Sequence, residues 1–269
     1  MTDRSREARQ ALSDVADGLA RDGRWAPWAD PVVLPTTEST MADAAQLAAS
    51  GSPEGTVIVA EEQTAGRGRA GRQWESPAHA GLWLTILLRP ALDAQFLGWL
   101  PLITGTAVVT ALRATTGCDV RLKWPNDLVV ELRDGLGKVG GILAERLGDG
   151  SVLVGIGINV DQVADELPPG GTSLRLLRAV DSREHILVSV LGEFAVAYRQ
   201  WIAGADPAPD YLDLCVTIGS DVRVEAPGVA IEGRATGVGP HGDLLVTDRS
   251  GIDHKISGGD VLLVRPAFK

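Results

Sequence analysis

The chain has 269 residues, 45% of them hydrophobic and 22% charged, with a formal net charge of -10; this suits one large globular domain, or a large domain with a small one attached. An acidic balance of this kind disfavours nucleic acid as a main partner, because duplex binding neutralises many phosphates with an extended basic face. Apolar runs are interrupted by charge or fall short of a bilayer, and residues 1–24 lack the apolar centre of a secretory signal, so no membrane partner and a cytoplasmic location are expected.

Residues 4–21 carry Ala8, Leu12, Val15 and Leu19 at helical spacing, which predicts an N-terminal helical extension within residues 1–30, interrupted by Pro27 and Pro31. Next comes a helix over Met41–Ala49, capped by Ser39 or Thr40 and stopped by Gly51. Thr56–Ala60 and Leu82–Leu88 are β-branched or apolar runs that read as buried strands. A helix over Phe96–Thr115 closes at Gly117, a strand Val120–Trp124 runs into the turn Pro125-Asn126-Asp127, and Leu128–Leu132 pairs through Arg133–Gly137 with Val139–Leu147. Ser151–Val160 is a further buried strand and residues 184–202 an apolar helix. Short turns between successive strands predict an α+β fold, a mixed and mostly antiparallel sheet with covering helices. Ala203–Pro209 resembles a linker, so the main domain is expected over 31–209. Short strands at 221–225, 231–235, 243–247 and 260–264 then predict a small β-barrel over 210–269.

The connection between the first two strands, Thr64 to Ala80, holds the most informative residues: Gly66-Arg67-Gly68-Arg69-Ala70-Gly71-Arg72 places three guanidinium groups on a glycine-rich loop of an acidic protein. Glycine lets backbone N–H groups approach a ligand, and arginine offers paired donors matched to carboxylate or phosphate. A loop of this length without apolar periodicity is expected to be disordered until a ligand orders it. Lys123-Trp124-Pro125-Asn126-Asp127 ends a strand in a tight turn and can project a lysine, an amide and a carboxylate together, while Lys138 starts the next strand between glycines.

Other chemistries find little support. Cys118 and Cys215 lie far apart and read as buried small hydrophobes, and His79, His185, His241 and His254 have no metal-ligand spacing. There is no GxSxG elbow, Walker A loop or strand–GxGxxG–helix unit. Arg67, Arg69, Arg72, Lys123 and Lys138 can instead reach one edge of an antiparallel sheet. Such a cluster suits two anions that must be brought together, as when a carboxylate attacks an α-phosphate, a reaction that needs no protein nucleophile.

Five ordered motifs over residues 36 to about 265 resemble those of biotin protein ligases: Thr37-Glu38-Ser39-Thr40, Glu62–Trp74, Lys123–Asp127, Gly137–Leu143 and Gly155-Ile156-Gly157-Ile158-Asn159-Val160. The resemblance implies a biotin/lipoate ligase-like catalytic domain with an SH3-like C-terminal barrel. It further implies an ATP- and magnesium-dependent reaction: biotin becomes biotinyl-5′-AMP and passes to a lysine on the biotin carboxyl carrier domain of an acyl-CoA carboxylase. By position, Ser39, Thr40 and Gln63 would bind the ureido ring; Arg67, Gly68 and Arg69 would close over biotin and the α-phosphate; Lys138 would stabilise developing charge between carboxylate and phosphate, with Arg69 as the second catalytic residue. Arg72, Trp74, Lys123, Asn126, Asp127 and Asn159 would surround the nucleotide, with Asp127 beside a phosphate-bound magnesium ion.

The chain departs from the family at Met41, where asparagine is usual. The stretch before Thr36 is too short for the winged helix-turn-helix that some relatives carry, so a ligase without a DNA-binding domain is expected. Two further readings stand beside this one: a lipoate or octanoate ligase, less suited by the polar set around Gln63, and a sensor that holds biotinyl-adenylate without transferring it.

Overall fold

The computed structural model describes residues 12, 27–179, 181–226 and 229–263. Of the helix expected over residues 4–21, only Leu12 falls among them; it is fully buried, and its N–H donates to Glu61 Oε1.

Seven strands form the main sheet: β1 (Val32–Leu34), β2 (Val57–Ala60), β3 (Gly81–Leu88), β4 (Arg121–Lys123), β5 (Asp127–Leu132), β6 (Gly135–Arg146) and β7 (Val152–Asn159), in the order β1-β2-β3-β7-β6-β5-β4. All neighbours are antiparallel except β1 and β2. The mixed, mostly antiparallel α+β expectation therefore holds. Strand β3 shows why its sequence reads as an unbroken apolar run. Leu82, Leu84, Ile86 and Leu88 join the core under helices α2 (Leu100–Thr116) and α3 (Arg183–Ile202), whereas Leu87 packs under α1 (Thr40–Ala49) with Met41, Ala44 and Ala48. With both faces covered, the usual in-out alternation disappears. Truncating a fully buried leucine here, such as Leu84, would cost roughly 2–5 kcal/mol.

Helix α2 begins after a 3-10 turn at Ala94–Trp99, later than the sequence suggests, and ends where Gly117 takes φ 67°, a conformation open to glycine at little cost. Contrary to the sequence reading, the stretch Ala94–Thr116 is long and apolar enough to cross a bilayer by length and composition. Leu100, Leu102, Ile103, Val108, Val109 and Leu112 are instead buried in the core shared with the sheet and α3. The β5–β6 hairpin is tighter than expected, with Leu132 opposite Gly135.

Residues 203–209, expected as a linker, lead into a fourth helix, α4 (Ala208–Leu214). Pro207 and Pro209 sit at its start, where a missing N–H costs nothing. The chain then runs along the edge of the main sheet, with Val216 N donating to Leu122 O at 2.8 Å. A second, antiparallel sheet follows: β8 (Asp221–Ala226), β9 (Val229–Val238), β10 (Leu244–Asp248), β11 (Asp253–Ile256) and β12 (Asp260–Leu263), ordered β11-β10-β9-β8-β12. Two indoles pin it to the main body. Trp124 Nε1 donates to Gly242 O at 3.1 Å and Trp99 Nε1 to Pro240 O at 3.0 Å.

Candidate active site

A cavity of about 460 Å³ opens on the α1 side of the main sheet. Its floor is the backbone of β6 and β7 at Gly141, Gly155 and Gly157; the start of α1 supplies one wall, the arginine loop and the turn before β5 the others, and β12 closes the rim. Space above the floor depends on Gly157 in particular, because a Cβ there would lie 2.8 Å from the Trp74 ring. Every sequence-predicted site residue except Asn159 lines this cavity: Ser39, Thr40, Gln63, Arg67, Gly68, Arg69, Arg72, Trp74, Lys123, Asn126, Asp127 and Lys138.

At the α1 end, the Gln63 amide is fixed on both sides. Its Oε1 accepts from Thr40 N (3.0 Å) and Thr40 Oγ1 (3.1 Å), and its Nε2 donates to Ser76 Oγ at 2.8 Å. Thr40 Oγ1 is also 2.8 Å from Thr85 Oγ1. Ser39 occupies the N-cap position of α1, yet its hydroxyl makes no capping bond and is buried with no partner. An orphaned hydroxyl costs about 1–3 kcal/mol, which points to a ligand group that satisfies it. Trp74 Nε1 is buried and unpartnered as well, and the ring meets Trp83 edge-on at 6.4 Å.

The arginine loop folds back on itself through Gly68 N to Arg72 O (2.7 Å) and Trp74 N to Gly66 O (2.9 Å), turning at Ala70 with φ 54°. Each guanidinium is held by a different element. Arg67 pairs with Glu145 of β6 at 3.0 Å, Arg69 Nη1 donates to Asn126 Oδ1 at 3.1 Å, and Arg72 pairs with Asp260 of β12 at 2.8 Å. Burial lowers the Arg69 pKa, while Asp260 and Asp127 act against that change.

Opposite the loop, Lys138 Nζ lies 2.5 Å from Asp127 Oδ1 and 5.3 Å from the centre of the Trp74 ring, and Lys123 Nζ is 3.8 Å from Asp127 Oδ2. Glu145 and Asp260 offset Arg67 and Arg72, and one carboxylate faces Lys123, Lys138 and Arg69. The middle of the cavity is thus cationic, suited to an anion with more than one negative charge.

Asn159 stands apart from the expected set. It is buried behind the floor, its Nδ2 donating to Thr172 O (3.0 Å) and Lys138 O (3.4 Å) and its Oδ1 accepting from Gln162 Nε2 (2.9 Å). Its amide holds the backbone that carries Lys138, and does not line the cavity. Glu145, Asp260 and Trp83 escaped the sequence reading. The two carboxylates are contributed by distant segments with no local motif, so only the folded chain reveals them as counter-ions. Cys215 is buried as expected, Cys118 only partly.

Residues 33–162 match the biotin/lipoate A/B protein ligase family, a span that contains every cavity residue except those on β12 and Pro168-Pro169. A biotin–[acetyl-CoA-carboxylase] ligase of Mycobacterium tuberculosis is 39% identical across 98% of this chain and 100% of its own length. The chain belongs to the biotin/lipoate A/B protein ligase family. The bifunctional ligase/repressor BirA of Bacillus spizizenii is 34% identical over 84% of this chain and 71% of its own length. Among solved structures, a biotin protein ligase from Aquifex aeolicus in complex with biotin and ATP superposes with a TM-score of 0.75 at 30% identity, covering 88% of this chain and 99% of that one. That superposition reaches well beyond residues 33–162 and is consistent with the C-terminal sheet as well as the main one.

Proposed function

We propose that this chain is an ATP-dependent biotin–protein ligase, which joins biotin to ATP as biotinyl-5′-AMP and then transfers the biotinyl group to a lysine on the biotin carboxyl carrier domain of an acyl-CoA carboxylase. The observation that carries the reading is the pairing, in one cavity, of an unspent Ser39 hydroxyl beside the fixed Gln63 amide with the cationic centre around Lys138 and Arg69. A urea ring supplies both the donors and the acceptor that such a polar pair can meet. The relatives named ligases, one of them bound to biotin and ATP, support the same conclusion.

In the first half-reaction the biotin carboxylate oxygen attacks the α-phosphorus in line and pyrophosphate leaves. Two unit charges 4 Å apart repel by about 4 kcal/mol at an effective dielectric of 20. Lys138 and Arg69 are placed to offset that repulsion and the charge that develops as the bond forms. Arg67 and Gly68 belong to the cover over the biotin chain. Arg72, Lys123 and Asn126 surround the phosphates, and Trp74 offers its face to adenine once Lys138 turns toward the phosphate. The loop 64–80 tightens over the ligands as their anionic groups replace Glu145 and Asp260 as arginine partners. In this reading residues 31–209 form the catalytic unit and 210–269 an SH3-like module whose β12 completes the rim.

No group of three His, Cys, Asp or Glu residues able to hold a metal occurs among the described residues. Asp127 is already flanked by two lysines, so a magnesium ion is expected to come with the nucleotide, ligated chiefly by its phosphates and water. The test is incubation of the purified protein with labelled biotin, MgATP and an isolated carrier domain. Label on the carrier that depends on ATP supports the reading; an unlabelled carrier that a reference ligase labels readily would end it.

A further inference from the structure

Two glycines of the cavity floor are each covered by one side chain. A Cβ at Gly157 would lie 2.8 Å from the Trp74 ring, and a Cβ at Gly155 would lie 3.0 Å from Met41 Sδ and 3.4 Å from Met41 Cγ. Trp74 thus takes the end of the floor near Lys138, and Met41 the end beside Ser39 and Thr40 at the start of α1. We propose that Met41 is a specificity-determining residue: its thioether packs against the sulfur-containing ring fused to the cyclic urea of biotin, a contact that rests on the ligase reading above and deepens it.

Three observations carry it. Met41 is 4% exposed and yet lines the cavity. It belongs to the apolar cluster of Ala44, Ala48, Ile58, Leu87 and Leu153 under α1, and its side chain offers the cavity only carbon and sulfur. The second observation is a row of residues paired across the sheet, Thr85 on β3, Gly155 on β7 and Leu143 on β6. Its polar end is Thr85, whose Oγ1 lies 2.8 Å from Thr40 Oγ1; that hydroxyl also donates to Gln63 Oε1 at 3.1 Å. Its apolar end is Leu143, another lining residue, and Met41 stands over the middle. A bicyclic acid with a urea on one side and a saturated ring on the other follows the same gradient.

The third is the chemistry of the residue itself. Methionine is unbranched and polarisable and fits irregular apolar gaps. The asparagine usual in the family would bring an amide with two donors and an acceptor, which a saturated thioether ring satisfies poorly. In this chain the second ring is met by apolar burial and dispersion, while Ser39, Thr40 and Gln63 supply the polar contacts to the urea.

Desthiobiotin keeps the urea ring and the carboxylate chain of biotin but lacks the sulfur-containing ring, so comparing the two acids isolates the contact. Calorimetric titration of the full-length protein should show Met41→Ala weakening biotin about tenfold and desthiobiotin no more than about threefold, which narrows the preference between them. Met41→Gln, of nearly the same length, should narrow it in the same direction, because it places an unsatisfied amide against the ring. Met41→Leu should keep the wild-type preference to within about twofold, as a swap of similar volume. Equal losses for the two acids in the alanine and glutamine variants would reduce Met41 to a structural role and overturn the proposal, as would unchanged biotin binding in both. A wild type that binds neither acid overturns the ligase reading itself, and the role of Met41 with it.

Discussion

Lys138 Nζ and Asp127 Oδ1 lie 2.5 Å apart, on neighbouring strands of one hairpin, at the rim of the glycine floor. The lysine is thereby held extended over the cavity before any ligand arrives, and a phosphate or carboxylate oxygen can take over from Asp127 with little reorganisation.

Replacing this lysine should therefore damage the chemical step more than binding. Lys138→Ala is expected to lower adenylate formation by about 10²–10³-fold under saturating biotin and ATP. Lys138→Arg should not restore it, because a planar fork cannot occupy the place of a point charge. Pyrophosphate release measures both, and near-normal turnover in the alanine variant would contradict the role given to Lys138.

Arg69 joins the loop to the turn before β5 through Asn126. Arg69→Ala removes a positive charge from the site and a tie that closes it, so both slower adenylate formation and escape of the intermediate are expected. The ratio of free to protein-bound biotinyl-adenylate, separated by rapid filtration, should rise about tenfold. An unchanged ratio would assign the loop no part in retention.

A methyl group on the floor tests the nucleotide half of the cavity. In Gly157→Ala the new Cβ meets the Trp74 ring at 2.8 Å and forces the indole to move. Affinity for ATP, measured by calorimetry, should fall about tenfold while that for biotin changes less than about threefold, since a displaced ring loses stacking worth roughly 1–1.5 kcal/mol. Equal losses for both ligands would place Trp74 elsewhere.

Much of this was legible in the chain. Strand β2 announced itself by β-branched apolar residues, β3 by an unbroken leucine-rich run, and the basic loop by three arginines spaced by glycine and alanine. What the sequence hid is non-local. Helix α4 was masked by Pro207 and Pro209, which break a helix in its interior but begin one readily. Strand β11 reads Asp253-His254-Lys255-Ile256, without apolar alternation, and exists because β10 offers it a partner. Asp260 meets Arg72 across 188 residues of chain, and no local motif announces such a pairing. Asn159 was read as a nucleotide contact from its place in the motif Gly155–Val160; its amide is consumed by Thr172, Gln162 and the backbone of Lys138.

Acid stability offers a test of the scaffold that is independent of ligands. Hydrogen bonds from Ser151 and Arg89 lower the Asp149 pKa from 3.8 to about 2. A carboxylate depressed on folding adds stability that is complete above its unfolded pKa and is lost as pH falls through the folded value. Chemical denaturation should find Asp149→Asn less stable than the wild type at about pH 6, with the gap closing between about pH 4 and pH 2. A gap that does not change with pH would mean that the carboxylate charge contributes nothing there.

The central claim is that one cavity brings biotin and the α-phosphate of ATP together. Exchange of labelled pyrophosphate into ATP by the purified protein, with biotin or lipoate as the added acid, tests it most directly. Exchange that requires biotin and is absent with lipoate is the predicted result. Exchange with lipoate in place of biotin, or none with either acid, would contradict it.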